Sequence, residues 1–97
     1  MAAEITVEII NKKGLHARAA AKFVKIVASY PKKVNVIKKS ANNESDSQVV
    51  DGASILGLMM LGADIGSLLN ISTEDESGNN VLDALRELIT NRFGEEE

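Results

Sequence analysis

EITVEIINKKGLHARAAAKFVKIV, residues 4–27, changes its hydrophobic period halfway along. Ile5, Val7 and Ile9 alternate with Glu4, Thr6 and Glu8, a spacing of two that puts the apolar side chains on one face of a half-buried strand. Asn11, Lys12, Lys13 and Gly14 follow as a loop with a glycine turn signal. From His16 the period lengthens. Ala20, Phe23, Val24 and Val27 fall at i, i+3, i+4 and i+7, one stripe of a helix, and Ala17, Ala19, Ala20 and Ala21 add high helix propensity. Pro31 ends that helix, because a residue before proline, here Tyr30, is pushed out of the helical region.

The rest of the chain extends this strand-to-helix unit. Val34 and Val36 alternate with Asn35 and Ile37 as a second strand. Residues 39–47 are polar, without a period, and read as a mobile hairpin loop. Residues 48–51 form a short third strand that Gly52 breaks. Ser54, directly before the apolar run 55–61, is placed to cap a short helix. Residues 67–73 alternate again, with Leu69 and Ile71 on one face. Val81, Leu82, Leu85, Leu88 and Ile89 mark a last amphipathic helix that runs out near Phe93, and the charged residues 95–97 read as a frayed tail. The order β-α-β-β-α-β-α implies an α+β fold, helices packed on one face of a small antiparallel sheet. Ninety-seven residues support one core, so residues 1–97 are taken as a single domain.

Composition excludes several chemistries. Leu, Ile, Val and Phe make up 28 of the 97 residues, too many for a disordered chain. The longest apolar run, 55–61, is too short to span a bilayer, and the N-terminus has no apolar stretch of the secretory kind. With no cysteine and one histidine there are no disulfides and no thiolate or multi-histidine metal site. No metal or cofactor is expected, and the absences suit a cytoplasmic protein. The net charge of −3 is unevenly placed. Residues 1–39 carry nine Lys/Arg against two acids, and residues 40–97 carry two Arg against twelve acids. That asymmetry is either compensation within one fold or a basic patch for an acidic partner or a phosphate. Three aromatics and an acidic total argue against nucleic acid.

His16 stands where the Gly14 loop meets the first helix. Unpaired backbone N–H groups and the positive end of the helix dipole face such a position, a setting that holds anions and favours an uncharged, nucleophilic imidazole. Arg18 adds a forked donor for phosphate oxygens, and the Ala17 N–H a backbone donor. A phosphoryl group on His16 would have its charge of about −2 offset there. The residues alone also allow, and slightly favour, a histidine that only caps the helix, with Arg18 solvated.

GLHAR, residues 14–18, closely resembles the active-site signature of the histidine-containing phosphocarrier (HPr) family of the bacterial phosphoenolpyruvate-dependent phosphotransferase system. DGASILGLMML, residues 51–61, resembles that family's second signature segment, in the expected order, and the resemblance covers residues 4–93. It implies an open-faced β-sandwich: a four-stranded antiparallel sheet with three helices on one face. It also implies a phosphoryl-transfer intermediate, not a stand-alone enzyme. Enzyme I would pass a phosphoryl group to Nδ1 of His16, and His16 would pass it to a histidine of a IIA domain. Two departures stand out. Ala19 occupies the place where the family usually has proline, and the 39–47 loop looks several residues longer than usual.

The run 55–61 is almost wholly apolar, more than one buried stripe requires. With Leu58 and Leu61 in the core, Ile55, Leu56 and Met59 remain as a docking face, and Ala17, Ala21 and Lys25 on the first helix would extend it. In the family this is where enzyme I and IIA domains bind. In part of the family the serine matching Ser54 is phosphorylated by a dedicated kinase, so an HPr kinase/phosphorylase is a candidate partner and Ser54 a candidate regulatory phosphoserine. Negative charge there would weaken docking. The family expectation is a monomer. Two rival readings are a regulatory member of the nitrogen-related branch, acting mainly by binding target proteins, and a small nucleic-acid-binding module.

Overall fold

A computed structural model describes residues 3–40, 46–74 and 78–97. The alternating residues form strands β1 (Ala3–Glu8), β2 (Asn35–Lys38), β3 (Val50–Asp51) and β4 (Leu68–Thr73), and the periodic ones form helices α1 (Ala17–Ala28), α2 (Ile55–Met60) and α3 (Asn79–Thr90). The order along the sheet is β1-β4-β2-β3, and every neighbouring pair is antiparallel. Ile5 and Val36 both lie opposite Ile71, and Val7 lies opposite Leu69.

This register gathers the apolar side chains on one face. Val7, Val36, Leu69 and Ile71 pack there with Phe23 of α1 and Leu82, Leu85 and Ile89 of α3, all buried. The other face is polar and open, and Asn70 Nδ2 donates across it to Glu4 Oε2 at 3.0 Å and to Thr6 Oγ1 at 3.3 Å. The molecule is therefore the open-faced sandwich expected from the sequence, with α1 packed against both other helices and α3 lying over β1.

Three local readings are corrected. The third strand is two residues long, not four; its partner β2 is itself only four residues long. The last helix ends at Thr90, short of Phe93. Beyond it Arg92, Phe93 and Gly94 take positive φ values of 56°, 55° and 79° in a left-handed 3-10 turn, which buries Phe93 completely. Left-handed backbone costs a residue with a Cβ about 1–2 kcal/mol, and burial of the Phe93 ring offsets it. The tail is not frayed: that turn reverses the chain and lays residues 95–97 against the loop before α1. Residues 41–45, within the loop read as mobile, lie outside the described residues.

Candidate functional site

Two loops fix the start of α1. Gly14 has φ +69°, and a Cβ there would sit 2.5 Å from the Ala63 carbonyl oxygen. Only glycine lets the backbones approach so closely while turning left-handed. Leu15 N then donates to that same Ala63 oxygen at 2.9 Å, which anchors His16 as the residue preceding α1.

His16 is the N-cap in backbone terms, with φ −83° and ψ −178°, but its imidazole makes no capping hydrogen bond. The first-turn N–H groups of Ala17, Arg18 and Ala19 have no intrahelical acceptor, so the ring stands beside donors it does not use. The imidazole therefore takes no part in capping α1. Ala19, in the usual place of proline, is buried in that first turn, and the helix still begins at Ala17.

The ring has a partner that sequence reasoning missed. His16 Nε2 bonds Glu95 Oε2, and Asn11 Nδ2 donates to Glu95 Oε1 at 3.0 Å and to the Gly14 carbonyl at 2.8 Å. Asn11 is fully buried. Partial burial pushes the Glu95 carboxyl up, but the hydrogen bonds from His16 and Asn11, with the His16 and Lys13 charges, outweigh it and hold the carboxyl below its ordinary value. Among the described residues Nδ1 makes no hydrogen bond.

Beside this trio opens a cavity of about 550 Å³ in which Lys12, Lys13, Arg18 and Lys22 face the glutamates 95–97. Lys22 Nζ donates to the Phe93 carbonyl at 2.6 Å, and Lys12 Nζ lies 3.7 Å from Glu97 Oε2. Arg18 is exposed and, among the described residues, has no ion pair. The uneven charge of the sequence is thus compensated in part at the site itself. Within the described residues no cluster of ligating side chains could hold a metal ion.

Leu58 of α2 and Leu61 just after it are buried, as expected, while Ile55, Leu56 and Met59 of α2 are exposed. The apolar surface is wider than the sequence suggested, because Met60 is 76% exposed and Ile65 and Leu68 follow it. In a helix of six residues the stripe is too short to tell Met59 from Met60. Ala17, Ala21 and Lys25 are exposed on the neighbouring α1. Ser54 caps α2, its Oγ accepting from Gly57 N at 2.9 Å. The structure thus brings His16, Arg18 and the Ala17 N–H together at the start of α1 and places Ser54 and the apolar residues on α2. No described helix is long and apolar enough to cross a membrane.

The family model for the PTS HPr component phosphorylation site matches residues 3–91. A phosphocarrier protein HPr of Pseudomonas aeruginosa is 53% identical over 96 residues, covering 99% of this chain and 98% of that one. One from Cupriavidus necator is 45% identical over 89 residues, covering 92% of each. Among solved structures, an HPr from Thermoanaerobacter tengcongensis superposes with a TM-score of 0.82 at 38% identity, covering 98% of this chain and 99% of that one.

Proposed function

The chain belongs to the HPr family of phosphocarrier proteins, and from that premise we propose that it is a cytoplasmic relay of the phosphoenolpyruvate-dependent phosphotransferase system. In this reading Nδ1 of His16 accepts a phosphoryl group from enzyme I and His16 passes it to a histidine of a IIA domain. The observation that carries the reading is the imidazole at the start of α1. It caps nothing, its Nδ1 has no hydrogen bond among the described residues, and unpaired first-turn N–H groups stand beside it.

A phosphoryl group on Nδ1 brings a charge of about −2. The Ala17 N–H, the helix dipole and the Arg18 guanidinium offset it. The partners dock on the apolar residues Ile55, Leu56 and Met59 of α2, with Ala21 and Lys25 at the edge on α1. An apolar surface excludes water from the transfer, and methionine adapts to more than one partner. Ser54 serves as the regulatory acceptor for an HPr kinase/phosphorylase. A phosphate there adds charge beside the docking residues and weakens the contact.

The test is incubation with enzyme I and labelled phosphoenolpyruvate. The wild-type chain is expected to take up acid-labile label, and His16→Ala to take up none while keeping its fold by circular dichroism. Label retained on a folded His16→Ala chain would overturn the assignment.

A further inference from the structure

The trio Asn11, Glu95 and His16 has a direction. Asn11 faces two acceptors, the Gly14 carbonyl and Glu95 Oε1, so its amide must present NH₂ to both. One buried side chain thereby ties the loop carrying His16 to the carboxylate from the other end of the chain. Glu95 then uses its second oxygen on the ring. An ionised carboxylate is acceptor-only; Oε1 accepts from the Asn11 amide and Oε2 accepts from the ring, so Nε2 supplies the proton. In the neutral ring the lone pair is then on Nδ1.

We infer that Glu95, fixed by Asn11, is a positioning residue for phosphoryl transfer at His16: it holds the ring proton on Nε2 and leaves Nδ1 as the nucleophile. The inference rests on the reading of His16 as the phosphoryl acceptor. In the transfer, the Nδ1 lone pair forms the new N–P bond. The P–N bond of the donor, a phosphoramidate such as a phosphorylated histidine, breaks, and its electron pair returns to the donor nitrogen. The proton stays on Nε2 throughout, and the ring gains one positive charge. Glu95 sits against the N–H that carries this charge, so its attraction is stronger after the bond forms than before. Interactions of that kind speed a reaction, where uniform binding does not. The logic is that of a carboxylate orienting a catalytic histidine.

His16 is the only histidine in the chain, so ¹⁵N-histidine labelling gives a single ring to observe. In the full-length protein the wild-type spectrum is expected to show the proton on Nε2, with Nδ1 unprotonated. Glu95→Ala should move the ring toward the ordinary mixture of tautomers and slow label uptake from enzyme I roughly tenfold, the low end for loss of a charge-assisted hydrogen bond. Glu95→Gln, which keeps an acceptor without the charge, should keep the wild-type tautomer and still transfer more slowly than wild type. Thermal melts check that both variants are folded, which the tail's place outside the core favours. A folded Glu95→Ala chain with the wild-type tautomer, or with the wild-type rate, overturns the inference and leaves His16 as acceptor intact. Glu95→Gln transferring at the wild-type rate overturns the part assigned to charge. A wild-type chain that takes no label on His16 overturns both readings together.

Discussion

Replacing Met59 by glutamate tests the docking face, and α2 supplies its own control. Met59 is 42% exposed and its neighbour Leu58 is fully buried. Full burial of such a side chain is worth about 1.5–3 kcal/mol. Met59→Glu gives up a little over half of that, about 0.9–1.7 kcal/mol, because the new carboxylate keeps its water. A domain of this size has a total stability of about 5–15 kcal/mol, so the variant should stay folded. Leu58→Glu loses the whole burial term and also places an unpaired carboxylate in the core, which costs several kcal/mol more. It should not fold. In a complex the balance at Met59 changes, since the carboxylate must shed its water against an apolar partner. For a central contact this costs on the order of 2 kcal/mol, about thirtyfold in Kd. Urea unfolding of each variant and calorimetric titration with enzyme I and a IIA domain make the comparison. Met59→Glu that fails to fold would place Met59 in the core. Met59→Glu that folds and binds both partners at wild-type affinity would refute the docking face.

Three other outcomes follow from local geometry. Ser54→Ala removes the acceptor for Gly57 N and should cost about 1 kcal/mol in urea unfolding; an unchanged midpoint would mean the cap contributes nothing in solution. Arg92→Gly relieves a positive φ at an exposed position and should raise stability by about 0.5–1 kcal/mol, whereas a loss would show the guanidinium making a contact that matters. For Glu95 the carboxyl is lowered by folding, so its contribution is fully present above the ordinary glutamate value of 4.5 and is lost as pH falls through the lower folded value. The stability difference between wild type and Glu95→Gln should shrink in acid, and a difference that grows there would contradict the docked tail.

What was legible in the sequence was what period and punctuation encode. Ile5, Val7, Leu69 and Ile71 announce strands by alternation, Ala20, Phe23 and Val27 announce a helix by their stripe, and Gly14 before His16 marks a turn into a helix N-terminus. His16 and Arg18 are close in sequence, so one local string carries both. Glu95 lies 79 positions from His16, and three consecutive glutamates look like any solvated end. Their docking depends on the left-handed turn at Arg92 and Phe93, where two residues with a Cβ adopt a conformation that their types disfavour. In the sequence Asn11 is one polar residue of a loop, and nothing in a loop's composition says that its amide will be buried. The one available signal was Phe93, a large apolar residue just past the expected end of the last helix.

The order β1-β4-β2-β3 also has a consequence in time. Among the described strands β1 pairs only with β4, and β2 has just a two-residue partner, β3, until β4 arrives. On the ribosome the first strand therefore leaves the exit tunnel long before its mate, residues 68–73, has been made. Until then most of the sheet exists only as unpaired edges, which invite pairing with other chains. The separation between mates also slows closure, because distant segments must meet before either is rewarded. A chain cut short before Leu68 should consequently be found in aggregates rather than as a smaller folded unit.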